Sequence, residues 1–371
     1  MTLTSARSLY SKLGVSMVIA WLVLGSTGCS TPTTIDEIQL VNCIGYDKLD
    51  KGYQGSALYP TFEQQNMTKA NMMATISNSN YDILPRLNSK SSLPVEQGQL
   101  RIVVFGEEFA KEGITVIVNS LIRDPAITSR LHLAVAENTA EKLLQRVVKT
   151  NDSYFLSTVI EQNIETQNIP SSNLHHFLYQ YYGEGRDPYL PYFIQDKDQS
   201  IKLDGLAIFR KDRYVGRINL RESFLLKLML NETTAGRYQV HVNKEGKKGY
   251  ILLRNLAGKT SFDLTMDDEQ VPSVSVHMRV DAMIKDYPPW LDLTKKENLK
   301  WVEKKFETHF SEQIEQLVQR FITWNVDPIG FGEKFRSHKR NWNARTFYEK
   351  YEDLQLTAHT EVNVLQTGIG E

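Results

Sequence analysis

Cysteine is nearly absent from this 371-residue chain, which has only Cys29 and Cys43. A disulfide framework is therefore excluded, and metal sites built on thiolates lack their ligands. An excess of charge of either sign is missing too. With 43 Lys+Arg against 44 Asp+Glu, nothing global draws the chain to nucleic acid, and there is no acidic interaction tail. Beyond the first thirty residues no apolar run is long enough for a spanning helix, which takes roughly 18 residues or more. Catalytic signatures are also lacking. There is no H-E-x-x-H, C-x-x-C, G-x-S-x-G or Walker loop, and the eight histidines are scattered singly apart from His175 and His176. Adjacent residues on a helix point to different faces, so these two do not converge on one metal. Gly106-Glu107-Glu108 follows a strand, where a nucleotide phosphate would sit, but it sets two carboxylates where bare N–H groups are needed. The sequence thus implies no catalytic residue, no cofactor and no metal.

What is present begins at the N-terminus. Arg7 and Lys12 precede an apolar stretch from Leu13 to Leu24, and small residues follow up to Gly28-Cys29. This is the n-region, h-region and cleavage pattern of a secretory signal over residues 1–28. A cysteine directly after Gly28 resembles a bacterial lipoprotein signal, which implies a covalent diacylglyceryl lipid on Cys29 as first residue of the mature chain. Two acyl chains give stable attachment where one does not. Ser26 departs from that pattern, where Leu is usual, so a short uncleaved anchor and a plain signal peptide stay open as alternatives. Residues 29–35 read as a polar tether.

Residues 36–194 read as an α/β region, with room for two packed subdomains. A hairpin is expected between Ile38 and Tyr59, turning at Asp47 to Gly52. Gln64 to Lys90 is polar and reads as a loop or peripheral helix. Leu100–Phe105 then forms a buried strand, followed by one helix with Ala110, Ile114, Ile117 and Leu121 on its apolar face. Leu131–Ala136 forms the next strand, and Asn138 with Glu141 caps a helix after it. The β-α-β-α order predicts a parallel crossover. Helices follow at Ser153–Ile164 and Asn173–Tyr182, then an extended aromatic segment, Tyr189 to Phe193. Gln195 to Ser200 heads a linker, placed at 195–204.

Residues 205–371 read as strands, one long helix and a last strand at Glu361–Leu365. From Thr294 to Trp324 the apolar residues Leu299, Val302, Phe306, Phe310, Ile314, Leu317, Phe321 and Trp324 recur with the α-helical period. Thr294 and Glu297 spell a capping box, and Asp327-Pro328 with Gly330 stops the helix. At ~1.5 Å per residue it would span roughly 45 Å. The fold class expected is α+β (mixed α/β) and multi-domain, with a C-terminal domain that is a mostly antiparallel sheet packed on this helix.

Several stretches, taken together and in order, resemble the C-subunit lipoproteins of spore germinant receptors, the Ger(x)C family. They are Gly28-Cys29, Ile44-Gly45-Tyr46-Asp47-Lys48, Phe105-Gly106-Glu107-Glu108, Arg123-Asp124-Pro125, Gly185-Arg186-Asp187-Pro188, Gly205-Leu206-Ala207-Ile208-Phe209, Val326-Asp327-Pro328-Ile329-Gly330-Phe331-Gly332 and Thr367-Gly368. Ser30-Thr31 stands where that family often has Trp-Asp. The resemblance implies a lipid-anchored, non-enzymatic subunit on the outer face of the cytoplasmic membrane or spore inner membrane. It also implies a complex with two integral-membrane receptor subunits that responds to nutrients.

A second class is a membrane-anchored lipoprotein that captures a small solute, with Tyr189, Tyr192 and Phe193 lining its cleft. Lys334, Arg336, Lys339, Arg340 and Arg345 occur with no acid except Glu333 and Glu349 at the borders, interleaved with Phe335, Trp342 and Phe347. This segment is a candidate surface for anionic lipid or an acidic partner. A solvated helix face is the plain alternative.

Overall fold

The computed structural model describes residues 37–63, 67–231, 235–266, 271–338 and 342–367. Its first half opens with β1 (Gln39–Leu40), β2 (Cys43–Lys48), β3 (Tyr53–Glu63) and β4 (Met67–Ser77), then α1 (Ile83–Asn88) and β5 (Val95–Glu96). The expected hairpin is β2–β3, paired antiparallel from Cys43↔Leu58 to Lys48↔Tyr53. The stretch expected as a loop or peripheral helix instead contributes β4, which pairs with β3 along its whole length. Its Asn and Thr positions hid the strand, because polar residues suffice on an edge that water reaches on one side.

Next come β6 (Ile102–Gly106), α2 (Glu107–Glu112), α3 (Thr115–Arg123), β7 (His132–Ala136), α4 (Ala140–Thr150), α5 (Phe155–Glu165) and α6 (Leu174–Tyr182). Strands β6 and β7 are parallel neighbours, as the β-α-β-α order predicts, and β2 pairs parallel with the other edge of β6. The single helix expected after β6 is broken in two at Gly113, whose φ of +124° is outside the helical range. Its apolar face stays buried all the same. Asn173 caps α6 by accepting the His176 N–H at 2.9 Å. The cap of α4 is Thr139, with Asn138 outside the helix at φ 64°.

Then β8 (Tyr189–Gln195), β9 (Ile201–Arg210) and β10 (Arg213–Asn219) complete an eight-stranded sheet in the order β10-β9-β8-β7-β6-β2-β3-β4. Residues 195–204 therefore do not separate one body from another. They are the turn and first rungs of the β8–β9 hairpin, with Gln195 opposite Ile201. The polar Asp-Lys-Asp-Gln-Ser string looked like a linker because a hairpin turn has the same composition. One face of this sheet is covered by α1, α2, α3 and α6 side chains, the other by α4 and α5.

The chain continues with α7 (Leu220–Met229), β11 (Gly236–Lys244), β12 (Lys247–Met266), β13 (Pro272–Asp286), α8 (Lys296–Trp324), α9 (Phe331–His338), α10 (Ala344–Glu349) and β14 (Gln355–Thr367). The second sheet runs β11-β12-β13-β14, antiparallel except for the parallel β13–β14 pair. The α8 stripe packs on it, with Val302, Phe306, Phe310, Ile314, Leu317 and Phe321 all buried. The capping box is not formed: the Thr294 N–H and hydroxyl both donate to Asp292, and Lys295 is the N-cap. Asn325, left-handed at φ 53°, closes the C-terminus.

Between the sheets lies α7, apolar all round and buried at every position from Ser223 to Met229. A capping box of Asn219 and Glu222 starts it. The buried Lys227 ammonium donates to the Ile169 carbonyl at 3.1 Å, within a helix otherwise too apolar for water. Through α7 one apolar core runs from the large sheet into the small one, and Gln39–Glu371 forms one compact unit.

Candidate functional site

Two of the motif stretches, far apart in sequence, meet at one buried point. Gly185-Arg186-Asp187-Pro188 leads from α6 into β8, and Val326 to Gly332 leads from α8 into α9. The Asp187 N–H donates to the Asp327 carbonyl at 2.9 Å, and the Asp327 N–H donates back to Asp187 Oδ2 at 2.9 Å. Asp187 Oδ1 accepts the Lys211 N–H at 3.0 Å. Asp327 folds its own loop, Oδ1 accepting from Gly330 and Oδ2 from Gly332, both at 2.8 Å. Each oxygen of both carboxylates is thus held by a backbone N–H.

The loops touch where neither has a side chain. A Cβ on Gly185, whose φ is +80°, would lie 2.3 Å from Glu333 N, and one on Gly332 would lie 2.7 Å from Gly185 Cα. Glu333 N–H donates to the Gly185 carbonyl at 2.9 Å, and Arg186 pairs with the Glu333 carboxylate. The Arg186 guanidinium also lies over the Tyr179 ring at 4.2 Å. Tyr351 seals the far side, its hydroxyl donating to the Val326 carbonyl at 3.0 Å. Desolvation pushes the Asp327 carboxyl up to about 7 against the pull of its N–H donors, with the Asp187 charge adding to the rise. Asp187 is raised for the same first reason, burial.

A third motif aspartate works likewise. Asp47, at the end of β2, accepts the Ala140 N–H at 2.6 Å and the Glu141 N–H at 2.8 Å, so it caps α4 from a neighbouring strand. Gly106 leaves room for it, since a Cβ there would lie 2.0 Å from Asp47 Oδ1. Burial raises the Asp47 carboxyl to about 6. These aspartates hold loops together. The sequence signal for two of them was the repeated Asp-Pro followed or preceded by glycine, which marks a tight turn without saying that the two turns meet.

The basic segment is dispersed. Lys334 is half-buried on α9, its ammonium 4.9 Å from the Phe262 ring centroid. Arg336 lies 3.7 Å from Glu184, and Arg345 lies 2.9 Å from Glu349. Lys339, Arg340 and Cys29 lie outside the described residues. Tyr192 and Phe193 are buried in the large sheet, and Tyr189, also buried, borders a cavity. Among the described residues no cluster of three or more His, Cys, Asp or Glu side chains is placed to hold a metal, and no helix is long and apolar enough to cross a membrane.

Two family models match most of this chain, one after the other. Residues 32–195 match the spore germination protein N-terminal domain, and residues 204–368 match the spore germination B3/GerAC-like C-terminal domain. The chain is 28% identical over 347 residues to the spore germination protein GerQC of Bacillus cereus, covering 93% of this chain and 96% of that one. It is 20% identical over 364 residues to the putative spore germination protein YfkR of Bacillus subtilis (strain 168), covering 92% and 94%. The crystal structure of the GerBC protein superposes with a TM-score of 0.58 at 14% identity, covering 88% of this chain and 99% of that one, which is a likeness of fold. The model boundary at 195–204 falls on the β8–β9 turn, inside the large sheet. With both models matched in order, and with the motif aspartates placed as its internal ties, the chain belongs to the Ger(x)C family, the C subunits of spore germinant receptors.

Proposed function

We propose that this protein is the lipid-anchored, non-catalytic C subunit of a nutrient germinant receptor, held on the outer face of the spore inner membrane by a diacylglyceryl group on Cys29. It assembles there with two integral-membrane subunits, and its folded body has no chemical step of its own. The observation that supports this most is the paired family match over residues 32–195 and 204–368, joined to a relative named for spore germination over almost the full length. The lipoprotein pattern ending in Gly28-Cys29 supports the anchor. The segment from Lys334 to Arg345 is a further proposed contact with lipid headgroups or an acidic partner.

Pull-down of the tagged chain from spore membranes tests the assembly. Two polytopic proteins should co-purify, and their absence under mild detergent sinks the reading. Mass spectrometry of the mature N-terminus should find an acylated Cys29, and Cys29→Ala should move the protein to the soluble fraction. Charge reversal at Arg336, Lys339 and Arg340 should weaken assembly or binding to anionic vesicles; if both are unchanged, the basic surface is dropped.

A further inference from the structure

A cavity of about 200 Å³ opens beside the aspartate junction. His176 and Tyr179 of α6 stand on one side, Leu230 and Ile329 form an apolar wall, and Arg186 and Lys334 bring two cations. Arg186 is accounted for by Glu333 and by the Tyr179 ring beneath it. Lys334 is not. Its ammonium rests on the Phe262 ring face, and among the described residues no carboxylate pairs with it. The Asp327 charge acts on it through space, while the two Asp327 oxygens accept from the Gly330 and Gly332 N–H groups. Burial pulls the lysine down from its usual range.

A half-buried ammonium with no ion-pair partner is costly, and a ligand that supplies one is favoured by a charge-assisted hydrogen bond in a poorly hydrated place. The space fits about six atoms the size of water. The apolar wall favours an organic anion over an inorganic one. We propose that this cavity is a binding site for a small carboxylate, with the carboxylate group on the Lys334 ammonium and the short carbon remainder against Leu230 and Ile329. The site rests on the geometry of this chain and not on the receptor assembly proposed above.

Calorimetric titration of the full-length protein in detergent tests it, with acetate, glycine and L-alanine as probes, and glycinamide and sulfate as controls. Saturable binding is expected for a carboxylate and none for glycinamide. Lys334→Met should weaken binding about 10- to 100-fold, the size of one charged hydrogen bond, without lowering Tm. Leu230→Trp fills the cavity from its apolar wall and should abolish binding without removing a charge, which keeps the test decisive if the lysine variant does not fold. The assignment is overturned if no carboxylate in the panel binds, if a folded variant binds as the parent does, or if sulfate binds as tightly as any carboxylate. Failure of the membrane pull-down leaves this titration untouched, so the two outcomes are separable.

Discussion

At Gly106 the backbone is unstrained, with φ −63° and ψ 152°, so its glycine is required by space alone. Gly106→Ala drives a methyl into Asp47 Oδ1 and should displace the Asp47 bonds to the start of α4 along with adding overlap, costing about 2–4 kcal/mol by urea denaturation. Asp47→Ala, which removes the two Asp47 bonds to α4, leaves the Thr139 cap and adds no atom, should cost about 1–2 kcal/mol; if it costs as much as the glycine variant, the overlap argument is wrong. The junction aspartates predict a pH dependence. An unfolded aspartate titrates near ~3.9, whereas buried Asp327 is raised to about 7. Between those values the folded state keeps a proton that the unfolded state has released. Its contribution is therefore full below about pH 4 and is lost as pH rises through about 7. The urea midpoint should be higher at about pH 5.5 than at about pH 7.5, and Asp327→Asn should flatten that slope while lowering the midpoint at both. The amide lowers it because its NH₂ faces an N–H donor where the carboxylate had an acceptor. An unchanged slope in the variant would assign the pH dependence elsewhere.

The long helix α8 was legible as a helix from its apolar period, and all six central stripe residues are buried as that period requires. Its opposite edge was not legible. Glu303, Glu307 and Glu315 look like a solvated acidic row in the sequence. In the structure Glu315 accepts the Ala358 N–H at 3.0 Å, Glu303 the Val364 N–H at 3.2 Å and Glu307 the Val362 N–H at 3.4 Å. They occupy the outer edge of β14, so that helix side chains stand in for a missing strand. No pattern within α8 shows this, because the donors arrive from a strand some fifty residues later. The capping box fails for a local reason instead: the Thr294 N–H and hydroxyl both turn to Asp292, two residues earlier. Replacing the three glutamates with Ala should cost about 0.5–1.5 kcal/mol each and raise light scattering on warming. Replacement with Gln keeps an acceptor and should leave scattering at the parent level; equal aggregation in both sets would show that charge, not edge protection, matters.

For the whole molecule, the expected class held, and the linker expected at 195–204 falls where the two family matches meet, although its residues form a hairpin inside the large sheet. Alternating strands and helices predicted the parallel β6–β7 pair, and the alternation of apolar and polar residues from Val274 to Ala282 predicted β13, whereas the parallel β2–β6 pair was not foreseen. The polar turn at 196–200 could not reveal that β9 and β10 return to the first sheet, since their pairing depends on strands elsewhere in the chain. One core through α7 predicts one transition. Tryptophan fluorescence, which among described residues reports Trp290, Trp301, Trp324 and Trp342, should follow the same urea curve as far-UV circular dichroism. A fluorescence transition well separated from the dichroism one would restore two independent bodies. The burial of α7 also bears on how freely this protein can vary. A helix with an outer face keeps positions where nearly any residue is accepted, but Ser223 to Met229 answer to a sheet on either side. In a saturation scan read out by folded abundance, those seven positions should therefore be less permissive than any seven consecutive positions of α8, and drift among relatives should be absorbed around them instead.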